Sequence, residues 1–323
     1  GFIQTFNLSP EDRILQFAPI YFDAALDQIF PYLTAGASVA FRDNILWTIR
    51  EFLEKIESMG ITVADIPPLY LKELLDHCTV VNGLIPKRLR MMIAGGESLP
   101  TATAKAWLES PCQNIPLVNV YGPTEGVITA TYHRIESETD IRSSTAITPI
   151  GKPLPGRTIR ILDEKGNLVP LGIPGELCLG GPCQAAGYWN HPDLTSQRFT
   201  FWREENGYGQ WLDHAKENSI RLYRTGDRVR MREDGVIEFL GRLDKQIKLR
   251  GFRIEPGDIE SVLCSHPHVK QAAIVAWEES PTEKSLVAYI VFHDDEQRDT
   301  RELLQWCRDK LPSYMIPSHI MIL

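Results

Sequence analysis

The string Tyr121-Gly122-Pro123-Thr124-Glu125 follows an apolar run ending at Val120 and sets a glycine, a hydroxyl and a carboxylate side by side. Gly122 permits close backbone approach. Thr124 offers a hydroxyl to a phosphate oxygen, and Glu125 a carboxylate to Mg²⁺, which takes few protein ligands beside phosphate oxygens. A strand end in an α/β layer is where ligands bind; a plain polar turn is the other reading. Tyr223-Arg224-Thr225-Gly226-Asp227 reads as strand, tight turn and acid. An acid there can accept both hydroxyls of a ribose, and a simple hairpin is the bland alternative. The run from Gly241 to Glu255 carries Arg242, Lys245, Lys248, Arg250 and Arg253. Strand alternation sets Lys248 and Arg250 on one side and Ile247 and Leu249 on the other, which a solvated edge would also satisfy.

The elements that must position these groups change character along the chain. Residues 45–59 place Ile45, Ile49, Phe52, Leu53, Ile56 and Met59 on one helical face, with Gly60 as the stop. Ile61 to Ile66 reads as a strand closed by Pro67 and Pro68, Leu69 to His77 as a helix, and Arg90 to Ala94 and Pro116 to Val120 as strands. That alternation predicts a layered α/β region. From about Gly126 short β-rich runs are separated by turn signals such as Pro153-Leu154-Pro155-Gly156 and Glu233-Asp234-Gly235, which predicts a small antiparallel barrel or sheet. After Leu243 a helix at Pro256 to Ser265, strands at Ala272 to Trp277 and Leu286 to Phe292, and a helix at Arg301 to Lys310 predict a compact α+β unit, so Gly241 to Glu255 contains the joint.

The chain of 323 residues has a formal charge of −8, 43% hydrophobic and 24% charged residues. An acidic chain has no general attraction for nucleic acid or an anionic membrane. No apolar run approaches the ~18 residues of a membrane span, and no signal peptide is visible. Six cysteines (Cys78, Cys112, Cys178, Cys183, Cys264 and Cys307) form no C-x-x-C pair and read as reduced core thiols of a cytoplasmic protein. The absence of Met at Gly1 suggests an excised piece.

The three chemical strings, in this order, resemble the core motifs of the adenylation domains of nonribosomal peptide synthetases. Phe22-Asp23-Ala24 resembles that family's substrate-anchoring segment and Gly95-Gly96-Glu97 its glycine-acid turn. Gly175-Glu176-Leu177-Cys178-Leu179-Gly180-Gly181, continued by Gly187-Tyr188-Trp189, resembles its barrel motif. Leu194-Thr195 with Arg198-Phe199, and Leu311-Pro312-Ser313-Tyr314-Met315-Ile316-Pro317, resemble segments further on. Two departures stand out. Pro182-Cys183-Gln184-Ala185-Ala186 replaces the usual glycine, leucine, alanine and arginine, and Pro256 replaces a leucine. By this resemblance a serine/threonine/glycine-rich phosphate loop belongs before Gly1 and a catalytic lysine after Leu323; Lys248 and Lys310 are not that lysine.

The resemblance implies an α/β plus β-barrel large subdomain, followed by a small α+β C-terminal subdomain joined by a hinge. The large part is residues 1–243, with α/β layers to about 130, and the small one 244–323. It implies attack of an amino acid carboxylate on the α-phosphorus of ATP, then transfer to the phosphopantetheine thiol of a peptidyl carrier domain among neighbouring synthetase domains. Glu125 would bind Mg²⁺ and Thr124 the α-phosphate. Tyr121, next to Gly122, would border the adenine near Gly96 and Glu97, Asp227 would hold the ribose helped by Arg242, and Asp244 would be the hinge. Asp23 would grip the α-ammonium. The side-chain pocket would be lined by Ala24, Asp27, Asp65, Ile93, Gly95, Val120, Ile128 and Thr129. Two acids in one pocket call for a cationic guest (lysine, ornithine or arginine). A polar guest such as glutamine, bonded by a protonated acid, is the runner-up. Helix-dipole and strand-end roles for Asp27 and Asp65 stay open. An acyl- or aryl-CoA ligase of the wider superfamily and a non-catalytic nucleotide-binding fragment are the competing functions.

Overall fold

The computed structural model describes every residue except 44, 82–85, 206–207, 250, 281–282 and 294–298, and describes backbone alone at 78–81, 278–280 and 283–284. The chain divides into two compact units, Gly1–Leu243 and Asp244–Leu323.

In the first unit, β1 (Arg13–Gln16), β2 (Ser38–Phe41), β3 (Val63–Ile66), β4 (Met91–Ala94), β5 (Leu117–Tyr121), β6 (Thr131–Ile135) and β7 (Lys152–Pro153) form one sheet in the order β2-β1-β3-β4-β5-β6-β7. The pairs from β2 through β5 are parallel; β6 and β7 add antiparallel. Alternation along each strand sorts its residues between two cores. Leu15, Ala64, Ile66, Met92, Ala94 and Leu117 pack with Phe52 and Ile56 of α3 (Ile49–Ser58), Leu71 and Leu74 of α4 (Pro68–Val81) and Trp107 of α5 (Thr101–Glu109). Ile14, Val63, Met91, Ile93 and Val118 face the other way, toward Phe6 just after α1 (Phe2–Thr5) and Tyr32 of α2 (Ala24–Thr34). Both faces of the parallel sheet are therefore covered by helices, as parallel sheets require.

Helix α3 begins later than its apolar periodicity predicts. Thr48 closes a capping box, its backbone N–H donating to Glu51 Oε2 at 2.8 Å, and Ile45 lies outside the helix with 73% of its surface exposed. The cap, satisfying otherwise orphaned donors, outweighs one more apolar position on the stripe. The β-rich texture after Gly126 also divides in space. Strands β6 and β7 extend the first sheet. The second sheet has β8 (Thr158–Leu162), β9 (Gly175–Gly180), β10 (Phe199–Glu205), β11 (Tyr208–Leu212) and β12 (Ile220–Met231) in the order β11-β10-β12-β9-β8, with β13 (Ile237–Arg242) on β12. Helix α6 (Pro192–Arg198) leads into β10.

The second unit holds the hairpin β14 (Ile247–Leu249) and β15 (Phe252–Ile254), then α7 (Pro256–Cys264), β16 (Val269–Ser280), β17 (Glu283–Phe292), α8 (Thr300–Lys310) and β18 (His319–Ile322). Strands β16 and β17 pair antiparallel and β18 adds parallel to β17. Ile247 and Leu249 enter this unit's core while Lys248 is half-exposed, as alternation predicts; Arg250 lies outside the described residues. Not all the thiols are core: Cys112, Cys178 and Cys307 are buried, Cys183 is half-buried, Cys264 is exposed, and the Cys78 side chain lies outside the description.

Candidate functional site

The parallel part of the first sheet runs 2-1-3-4-5, and in such an order ligands bind at the carboxyl ends of the two strands flanking the reversal, here β1 and β3. Gln28 of α2 stitches those ends together. Its Oε1 accepts the backbone N–H groups of Phe17 and Ala18 at 2.8 and 2.9 Å, beyond β1. Its Nε2 donates to the Asp65 carbonyl at 3.1 Å and to Asp65 Oδ2 at 3.2 Å, on β3. Asp23 is the N-cap residue of α2, and Ala24 opens the helix. One turn on, Asp27 Oδ2 accepts the Thr129 hydroxyl at 2.7 Å.

Asp27 and Asp65 are half-buried carboxylates whose hydrogen-bonding side chains, Thr129 and Gln28, are neutral. Desolvation raises Asp27 from 3.8 to about 6, against the hydroxyl of Thr129 and the charge of Arg157. Desolvation, with the charge of Asp27 added, raises Asp65 from 3.8 to about 7. Among the described residues neither is in an ion pair. Ile93 sits opposite Asp65 on β4 and is 2% exposed. Gly95, just past β4, lies against Val120 of β5, where an added Cβ would stand 2.5 Å from Val120 Cγ2.

The segment from Val120 to Thr129 joins this pocket to a second cluster. Thr124–Gly126 is a single 3₁₀ turn, and Val127 and Ile128 follow it with φ of 54° and 67°. Two successive β-branched residues in the left-handed region cost on the order of 1–3 kcal/mol each, and such strain persists only where the surroundings impose it. Gly122 is part of that surround. A Cβ there would lie 1.7 Å from the Ile128 carbonyl oxygen, so the close approach this glycine permits is made by the chain's own backbone.

At the other end of the segment Tyr121 donates its hydroxyl to Asp227 Oδ2, and Arg242 Nη1 meets Asp227 Oδ1 at 2.9 Å. Asp227 and Arg242 are direct cross-strand partners on β12 and β13. Burial, then the neighbouring carboxylate, pushes the Tyr121 phenol up. Asp227 is presented by a bulge: between Arg224 and Arg228 the register of β12 against β9 shifts. Glu176, 8% exposed, accepts Arg224 Nη2 at 2.7 Å and the Gly226 N–H at 3.1 Å, while the Thr225 hydroxyl donates to the Leu177 carbonyl at 2.7 Å. Glu125 is 8% exposed and accepts the Tyr188 hydroxyl at 2.5 Å on Oε1. Thr124 is exposed on the same turn, Gly96 is exposed and Glu97 half-buried beyond β4, and Asp244, the first residue of the second unit, accepts the Gln246 N–H at 3.2 Å.

The structure thus brings together Tyr121, Asp227 and Arg242, and separately Asp27, Thr129 and Asp65. Sequence reasoning missed Tyr188, Glu176 and Arg157 as supporting residues. The first two lie in the barrel motif, where Tyr188's place before Trp189 was a usable signal; for Arg157 only the Pro155-Gly156 turn signal precedes it.

A parallel sheet with its switch point at an acidic pocket thus lies in the same unit as a strand-end turn bearing a buried acid. Family models match in both units: AMP-binding enzyme over residues 2–189 and AMP-binding enzyme C-terminal domain over residues 258–323. The chain belongs to the AMP-binding enzyme family. It is 35% identical to tyrocidine synthase 1 from Brevibacillus parabrevis over 99% of its length. It is 36% identical to the dimodular nonribosomal peptide synthase of Bacillus subtilis over 98%. It spans only 27% and 12% of those two proteins. Among solved structures, the Vibrio cholerae adenylation domain AlmE in complex with glycyl-adenosine-5'-phosphate superposes with a TM-score of 0.80 at 27% identity, covering 100% of this chain and 57% of that one. An artificially fused adenylation–PCP di-domain, NpsA-ThdA from Klebsiella oxytoca, superposes with a TM-score of 0.81 at 26% identity, covering 98% and 55%. These relatives group the chain with the adenylation domains of nonribosomal peptide synthetases.

Proposed function

We propose that this chain carries the amino-acid and nucleoside sides of an enzyme that joins an amino acid carboxylate to AMP. The observation that carries this reading is the continuity of Val120 to Thr129: one end ties Tyr121 to Asp227, the other ties Thr129 to Asp27. Two sites for two reactants are thereby fixed by a single short segment. That arrangement suits a reaction that depends on positioning and charge neutralisation.

In this reading Asp23 holds the α-ammonium, and the side chain of the amino acid enters between Ala24, Asp27, Asp65, Ile93, Gly95, Val120, Ile128 and Thr129. The guest is cationic: lysine, ornithine or arginine. Two desolvated carboxylates with only neutral side-chain donors are a charge deficit that a guest cation fills. Tyr121 borders the adenine with Gly96 and Glu97, beside Gly122, and Thr124 meets the α-phosphate. Asp227 accepts the ribose, beside Arg242. Because Asp227 is 1% exposed, the ribose replaces the Tyr121 hydroxyl there, exchanging one hydroxyl donor for another. The amino acid's carboxylate oxygen bonds to the α-phosphorus, the bond to the β-phosphate breaks, and pyrophosphate leaves. Glu125 fits a magnesium ion, which takes one or two carboxylates beside phosphate oxygens. Among the described residues no cluster of three acidic, histidine or cysteine ligands offers an all-protein cage instead. The ion supplies charge neutralisation on the phosphates. Asp244 is the hinge of a rotation that serves the second half-reaction, transfer to the phosphopantetheine thiol of a peptidyl carrier domain beside other synthetase domains.

Pyrophosphate exchange by the intact protein, with each standard amino acid plus ornithine, tests this. Exchange with a cationic amino acid is expected. Exchange with an apolar one keeps the enzyme and refutes the pocket. CoA-dependent turnover of an acyl or aryl acid, or nucleotide binding with no exchange, overturns the reading in favour of a CoA ligase or a binding domain.

A further inference from the structure

The strained turn behind the pocket is braced from outside by one side chain. Arg157 follows the Pro155-Gly156 turn, whose closing bond runs from the Arg157 N–H to the Leu154 carbonyl at 3.0 Å. Its Nη2 donates to the carbonyl oxygens of Val127 and Thr129 at 2.8 and 2.9 Å, and its Nη1 to that of Cys183 at 2.8 Å. The two carbonyls on Nη2 bracket Ile128, so the planar guanidinium fixes the residues around the left-handed pair. Thr129, held this way, aims its hydroxyl at Asp27. The third bond ties the turn to the atypical 182–186 segment, which has independent anchors: Arg221 donates to the carbonyls of Ala185 and Ala186, each at 2.8 Å, and the Ala185 N–H donates to the Glu125 carbonyl at 2.9 Å.

We propose that Arg157 is a specificity-determining positioning residue, which holds the Val127–Ile128–Thr129 turn as the far wall of the amino-acid pocket. This rests on the reading of Asp27 and its neighbours as that pocket. Nothing in the arrangement requires Arg157 to touch either reactant. A fork of donors in a fixed plane is what the three carbonyls need, and a lysine ammonium reproduces only part of it.

The test is pyrophosphate exchange by the intact protein with R157M, R157K, V127G and the V127G/R157M pair, reading the KM for the amino acid and for ATP separately. R157M is expected to raise the amino-acid KM about tenfold and flatten the preference between lysine and glutamine. The ATP KM stays, because Arg221 still holds the 183–186 segment. R157K raises the amino-acid KM by a smaller factor. Glycine at 127 enters the left-handed region without strain, so removing Arg157 costs less in amino-acid KM when measured from V127G to the V127G/R157M pair than from the parent to R157M. An unchanged amino-acid KM in R157M, an equal rise in both KM values, or the same cost of removing Arg157 in both backgrounds overturns the proposal. If R157M does not fold, R157K decides, and an unchanged amino-acid KM there overturns it equally. If the unsubstituted protein shows no amino-acid-dependent exchange, the pocket reading falls and this inference with it; exchange that R157 variants leave untouched sinks this inference alone.

Discussion

Asp227 and the Asp27–Asp65 pair are acids of the same unit in opposite situations. Asp227 is buried with a cation and a phenol on its two oxygens. Asp27 and Asp65 share a neighbourhood with hydrogen bonds from neutral side chains and no ion pair among the described residues. The first arrangement is paired before any ligand arrives, and in the proposed reading it serves the nucleoside. The second holds two desolvated acids without an ion pair among the described residues, and in the proposed reading a guest cation offsets the cost of that desolvation.

The largest effect should come from breaking the paired side. D227A removes the carboxylate that Arg242, whose side chain is 12% exposed, meets at 2.9 Å. A loss of ~3 kcal/mol of stability is expected, with exchange falling by about two orders of magnitude or more. Thermal melting and exchange read the two effects, and wild-type exchange in D227A would remove Asp227 from the site. E125A should likewise abolish exchange. Next, E176Q weakens the acceptor that shapes the bulge under Asp227. The ATP KM should rise about tenfold, with the amino-acid KM unchanged.

On the other side the expected effect is smaller and depends on pH. Asp65 has a folded pKa of about 7, above its ordinary 3.8, so folding favours its neutral form. Its stability contribution is whole below about pH 3.8 and is lost as pH rises to about 7. At about 1.4 kcal/mol per pH unit of differential protonation, D65N should match the parent near pH 3 and exceed it by a few kcal/mol at pH 8. Gln28 keeps an acceptor in the asparagine oxygen. Equal melting temperatures for the two proteins at pH 8 would show that Asp65 is ionised at no cost. With a cationic amino acid, the amino-acid KM of the parent should fall as pH rises through about 6 to 7, the range over which Asp27 and Asp65 ionise. The smallest effect is that of Y121F: if the ribose takes over the tyrosine's bond to Asp227, the ATP KM changes less than about threefold.

Strand alternation, helix periodicity and turn residues made both units legible, because those signals are local. The start of α3 was misjudged because periodicity reports which face is apolar and says nothing of where the backbone is capped. At the site, the strings around Tyr121 and Asp227 stood out by residue type alone, and the structure brings the two together. Their mutual bond was not legible, since it depends on a bulge in β12 whose shape is set by Glu176, on another strand. Which backbone comes close to Gly122 was not legible for the same reason: the atom that needs its missing Cβ belongs to Ile128 of the same strained segment.

The sequence by itself determined the order of elements, the residues able to donate, accept or carry charge, and the family to which they belong. Only the tertiary structure decided which acids are paired with a cation and which are desolvated beside neutral donors. Charge pairing and desolvation depend on distances across strands and helices far apart in the chain. Arg157 is the clearest case: an ordinary turn arginine in the sequence, it ties two separate segments together only where folding lays three backbone carbonyls before its guanidinium.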